Sequence, residues 1–165
     1  MRAVPTSGTI GSSKRTRRSD RHSREAQRRG TAALAAVPLF DGLSRRHVRR
    51  LVEDADIVDY RPGRTIVEEG QPGAAMFVIL AGQARVERHG RAVGALVPGD
   101  FFGELSALDS GPRTASVVAR TPLQALRLFR HSLIDMIVAE PGIVIGLLEG
   151  LAHRLRQVKP GTPVV

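Results

Sequence analysis

Between residues 63 and 111, nine of 49 residues are glycine, and they divide the chain into short β-prone runs. No other feature constrains the fold as strongly, because glycine interrupts strands and supplies the turns that antiparallel pairing needs. The runs fall at 57–60, 65–67, 76–80, 84–88 and 93–97, followed by 115–119 and 123–129. Seven or eight strands at about ten-residue intervals predict a mainly β fold. The expected architecture is an eight-stranded jelly-roll (double-stranded β-helix) barrel with one N-terminal helix and two C-terminal helices. Strands at such short intervals argue for this architecture and against a βαβ sheet.

With 165 residues, 42% of them hydrophobic, the chain is long enough for one domain with a real core. It has no cysteine, which removes disulfide frameworks, iron–sulfur clusters, thiolate zinc sites and cysteine nucleophiles. Ser44 is a good N-cap for a helix reaching about residue 54, with Val48, Leu51, Val52 and Ala55 at helical spacing. Arg45, Arg46, Arg49 and Arg50 form its solvated face. At the C-terminal end the spacing predicts a short helix over 131–139, ended by Pro141, and a longer one over 142–158. Val144, Leu148, Leu151, Leu155 and Val158 step by four and three, the spacing of a helix–helix seam. That stripe suits a homodimer through residues 143–158 or docking on the barrel. Gly142, Gly146 and Gly150 each cost about 1 kcal/mol relative to alanine, so this helix depends on packing and is free to move.

Charge is concentrated at the N-terminus: residues 1–30 hold nine basic and two acidic side chains of a chain whose net charge is +9. The segment is poor in apolar residues and predicts a basic disordered tail over residues 1–33, ahead of a domain over 34–159 and a short tail over 160–165. Arg17, Arg21, Arg24 and Arg28 lie at helical spacing. Residues 14–29 therefore either bind nucleic acid or another polyanion without sequence preference, or are a solvated extension. Arg28-Arg29 ahead of residues 31–40 has the look of a twin-arginine export signal. Pro38 and the missing small-x-small cleavage site argue against one, and no run approaches the roughly 18 apolar residues of a membrane span. A cytoplasmic protein is expected.

The stretch that carries chemistry runs from Gly99 to Val117. Residues 104–108 read as one helical turn between strands, with Gly103 allowing close backbone approach at its start. Such a turn offers backbone N–H groups and a positive dipole end to an anion. Arg113, nine residues beyond Glu104 and past a Gly-Pro turn, is placed to fold back over the same point. A guanidinium neutralises a phosphate and bonds two of its oxygens, whereas the acceptor-only carboxylate of Glu104 suits a sugar hydroxyl. Thr114 adds a hydroxyl. Together these describe a pocket for one phosphate attached to a ribose.

Phe102-Gly103-Glu104-Leu105 followed by Pro112-Arg113-Thr114-Ala115 resembles the phosphate-binding cassette of the cyclic nucleotide-binding domain family, the sensor domain of the catabolite activator protein and of protein kinase regulatory subunits. The resemblance spans residues 38–156 and includes the turns at Gly63 and Gly70, Phe77-Val78-Ile79 with Gly82, and the closing helices. It implies a ligand, cAMP or cGMP, held by Gly103, Glu104, Leu105, Ser106, Ala107, Arg113, Thr114 and Ala115. By the resemblance Glu104 holds the ribose 2′-hydroxyl, Arg113 the cyclic phosphate, and the amides around Ser106 and Ala107 the phosphate oxygens. A hydroxyl at Thr114 is associated with tolerance of guanine as well as adenine. The last helix lacks a serine or threonine to meet the purine, which leaves Leu151, Arg154 or Arg156 to cap the base.

The resemblance implies a non-enzymatic sensor that signals through its C-terminal helices. A vestigial member of the fold, acting as a protein-interaction or regulatory subunit while the basic tail holds nucleic acid, is the alternative. No attached effector is expected, since the nine residues after Arg156 are too few for a recognition helix. A cupin-like metalloenzyme would need converging histidines, and His22, His47, His89, His131 and His153 are widely separated. Neither a cofactor nor a metal is expected.

Overall fold

The computed structural model describes residues 12–37, 40, 43–139, 141, 142, 144, 145, 148, 149, 152 and 156, with side chains from residue 24 onward. Two helices, α1 (Ser12–Ala35) and α2 (Arg45–Glu53), precede the strands β1 (Asp56–Tyr60), β2 (Thr65–Val67), β3 (Ala75–Ala81), β4 (Ala84–Arg88), β5 (Arg91–Leu96) and β6 (Phe101–Phe102). A six-residue helix α3 (Glu104–Asp109) leads to β7 (Ser116–Ala119), β8 (Leu123–Phe129) and helix α4 (Arg130–Ala139).

The strands form two antiparallel sheets of four, ordered β1-β8-β3-β6 and β2-β7-β4-β5. The fold is the expected jelly roll, with its barrel built as two facing sheets and not as a closed ring. Strand β3 explains the layering. Its residues alternate sides, as period-two geometry requires, and both sides are buried. Phe77 and Ile79 point between the sheets, where they meet Val86, Phe102, Val117 and Ala125. Met76 and Val78 point outward, beneath helices that contribute Leu34, Val48, Leu51, Leu133 and Met136. Each such side chain stabilises the fold by roughly 1.5–3 kcal/mol on burial.

Helix α2 starts where expected: Ser44 has extended backbone, and its hydroxyl accepts from the His47 N–H at 3.3 Å. The N-terminal segment corrects the reading of a disordered tail through residue 33. Residues 12–35 are helical, and Gly30, Leu34 and Val37 are buried. Gly30 makes this possible, because a Cβ there would lie 2.9 Å from Val52 and 3.3 Å from Leu126. Gly30 lets α1 approach closely, and Leu34 and Val37 fill the contact beyond it. Most of the expected last helix, including Leu151 and Arg154, lies outside the described residues, as do residues 1–11 and 157–165.

Candidate functional site

Strand β6 delivers the chain to Gly103, which begins α3 with φ +77°, a left-handed conformation that favours glycine. Phe102, fully buried, stacks on Phe77 with ring centroids 5.0 Å apart and anchors this corner to β3. The Ala107 N–H donates to Gly103 O at 3.2 Å and closes the first turn of α3. No described carbonyl outside the helix accepts from the N–H groups of Leu105 and Ser106, so two donors remain at the helix start. The amide of Ala107, expected to hold phosphate, is already committed to the helix.

Arg113 reaches the same corner from the other side. Its backbone pairs with the loop after β2: its N–H donates to Gln71 O at 2.8 Å, and its carbonyl accepts from Gly70 N–H at 2.9 Å. The side chain is 7% exposed. Its Nη1 donates to Gly103 O at 2.9 Å and its Nη2 to Ala75 O at 2.8 Å, with the guanidinium 5.9 Å from the centre of the Phe77 ring. Gly73 permits this packing, because a Cβ there would come within 2.2 Å of the guanidinium. Glu104 is completely buried. Burial pushes the Arg113 guanidinium below its usual pKa, and the Glu104 charge partly offsets that. The site therefore holds a buried cation and a buried anion that sense each other.

Six of the sequence-identified residues, Gly103, Leu105, Ser106, Arg113, Thr114 and Ala115, line one cavity of about 10 Å³, together with Phe102 and Val117. Glu104 and Ala107 are fully buried and are not among its lining residues. Arg113 also borders a second, more open space of about 430 Å³ along β2 and Phe77, so it belongs to the lining of both. Of the base-capping candidates, Leu151 and Arg154 lie outside the described residues. Arg156 is helical and exposed.

Sequence reasoning missed three supports of the site. Phe77 and Gly73 shape the space around Arg113 from 36 and 40 residues away in the chain. Arg130, the first residue of α4, donates from Nη1 to Ala107 O at 2.7 Å and also to Leu108 O, capping the C-terminal carbonyls of α3. Its backbone N–H donates to Ala74 O at 2.8 Å, next to the carbonyl that Arg113 uses. Among the described residues no three or more His, Cys, Asp or Glu side chains gather as metal ligands, and His89 pairs with Glu69 at 3.1 Å.

A jelly roll carrying a cation-lined pocket at a short helix start defines a ligand-sensing domain. The chain belongs to the cyclic nucleotide-binding domain family, whose profile matches residues 57–140. This family is regulatory and not catalytic. The chain is 35% identical over 129 residues to the CRP-like cAMP-activated global transcriptional regulator of Mycobacterium tuberculosis, covering 75% of this chain and 58% of that one. It is 40% identical over 101 residues to the cAMP-dependent protein kinase regulatory subunit of Aspergillus fumigatus, covering 60% of this chain and 24% of the relative. The chain thus spans little more than half of the first of these relatives and a quarter of the second. Among solved structures, the N-terminal domain of a transcriptional regulator from Streptomyces coelicolor superposes with a TM-score of 0.67 at 32% identity, covering 76% of this chain and 90% of that domain.

Proposed function

We propose that this protein is a cyclic nucleotide sensor that binds cAMP or cGMP at the cassette and signals through its C-terminal helices. One observation carries the reading: the buried guanidinium of Arg113 faces the cavity at the start of α3, beside the buried carboxylate of Glu104. The cyclic phosphate takes Arg113 and the amides of Leu105 and Ser106. Glu104 takes the ribose 2′-hydroxyl. Small-molecule sites usually offer roughly 300 Å³ or more, whereas the cavity measures about 10 Å³. Binding is therefore coupled to movement of the guanidinium away from Gly103 O and Ala75 O. The cassette and Arg130 share α3, so that movement reaches the start of α4 through the carbonyls of Ala107 and Leu108.

The domain itself extends N-terminally of residue 34, to about residue 26, where α1 begins to pack on α2, and it runs to about residue 159. Ile145 and Leu148 are exposed, which supports a homodimer through residues 143–158. No helix among the described residues is long and apolar enough to cross a membrane, in keeping with a cytoplasmic protein.

A second reading, a vestigial pocket in a protein-interaction subunit, also has an observation in its favour: the guanidinium already donates to two carbonyls and so acts as a strut. Displacement of a fluorescent cAMP analogue separates the two. Saturable binding, competed by cAMP or cGMP, supports the sensor. Absence of binding at high micromolar protein supports the strut.

A further inference from the structure

The site uses one arginine, yet the chain contains 23 arginines and only two lysines. Twelve basic side chains against five acidic ones fall between residues 12 and 54, while the other 122 residues hold 13 against 11. The charge therefore belongs to the α1–α2 layer. Gly30 packs these helices together against Val52, so their outer faces are neighbouring parts of one surface. Arg24, Arg28 and Arg29 are exposed on α1, as are Arg45, Arg46, Arg49 and Arg50 on α2.

Stability does not account for this placement. No ion pair engages these arginines among the described residues. Arg24 and Arg28, Arg45 and Arg49, and Arg46 and Arg50 are like charges four residues apart, which destabilises a helix. The first turn of α2 carries Arg45 and Arg46 and no acidic residue, opposite to what the helix dipole favours. The surface thus concentrates positive potential at a cost to the fold.

We propose that α1 and α2 form a binding surface for the phosphate backbone of double-stranded nucleic acid. Guanidinium groups match phosphate geometry and bond it bidentately. The 24 residues of α1 extend about 36 Å, close to one turn of duplex. A single strand would be gripped by stacking on aromatic side chains, and the sequence of these two helices contains no Phe, Trp or Tyr. A lipid surface would need an unburied apolar helix face, whereas Val48, Leu51 and Val52 are already covered by the domain. This surface is distinct from the cassette, so the proposal stands whether or not nucleotide binds.

The test is fluorescence anisotropy of a labelled 20-base-pair duplex of arbitrary sequence with the full chain, titrated at several salt concentrations. Binding is expected to weaken with salt along a log–log slope of about −3 or steeper. Replacing Arg45, Arg46, Arg49 and Arg50 together by alanine is expected to lower affinity about tenfold or more at 0.1 M salt and to flatten the slope by about 2 to 4. The same four replaced by lysine should keep the salt slope. Replacing Arg24, Arg28 and Arg29 by alanine gives an independent check on the other helix. The proposal is overturned if a folded alanine variant binds duplex as tightly as the parent, if the slope is shallower than about −1, or if single strands or phosphatidylserine vesicles are bound in preference to duplex.

Discussion

Arg113 is both a candidate ligand and a structural strut, and the two roles respond differently to substitution. Arg113→Ala removes the charge and the side-chain donor to Ala75 O, a loss of about 1–3 kcal/mol for a buried group left without that donor, while Gly103 O keeps the Ala107 N–H. Urea unfolding is expected to show this loss alongside the loss of nucleotide binding. Gly73→Ala is the cleaner probe. Its φ is ordinary, and its new Cβ meets only the flexible end of Arg113. Displacing the guanidinium weakens its bonds to Gly103 O and Ala75 O, so the expected outcome is a stability loss in urea no larger than that of Arg113→Ala, with cyclic nucleotide affinity reduced about tenfold or more, about the loss of one charge-assisted hydrogen bond. Glycine at position 103 is held more tightly, by both its positive φ and the Arg113 Nη1 that would lie 2.3 Å from a Cβ. These consequences were not legible in the sequence. The Gly-Glu and Pro-Arg spacing located the pocket, but loop contacts that span 38 residues, such as Arg113 to Ala75, leave no local pattern.

Among the elements, strands 65–67, 84–88 and 123–129 fall where alternation and glycine punctuation put them, because each is long enough or apolar enough for its period to show. Strand β6 is two residues long and carries no period at all. Helix α1 was missed for a different reason. Its buried stripe is made of Gly30, Leu34 and Val37 with alanines between, which a hydrophobicity count reads as weak and an arginine count reads as disorder. The packing makes a direct prediction: Gly30→Val overfills the contact with Val52 and Leu126 and is expected to destabilise the protein by about 1–3 kcal/mol. Amide exchange should localise that loss to α1 and α2. Arg130→Ala tests a different element boundary. It removes the donor to Ala107 O and Leu108 O and is expected to raise exchange at the end of α3 and weaken nucleotide binding several-fold, with the sheets unaffected.

For the whole molecule, the two sheets and the helix layer form a scaffold in which one corner is electrostatically loaded and one outer layer is strongly basic. Of the net charge of +9, +7 lies in residues 12–54, and the helices of that stretch pack on the domain through Leu34, Val48, Leu51 and Val52. A ligand that binds only the folded state stabilises it by about 2.7 kcal/mol at a hundredfold excess over Kd, so saturating cAMP or cGMP should raise the thermal midpoint of the parent and leave that of Arg113→Ala unchanged. A ligand of about 22 non-hydrogen atoms gains about 0.3 kcal/mol per atom, which places the expected Kd in the micromolar range. Titration calorimetry of the full chain with cAMP and with cGMP, beside Arg113→Ala and Gly73→Ala, is the most direct test. The sensor reading predicts saturable one-site heat for the parent, weakened by Gly73→Ala and lost in Arg113→Ala. No heat with either nucleotide at high micromolar protein, or heat that Arg113→Ala leaves intact, would contradict it.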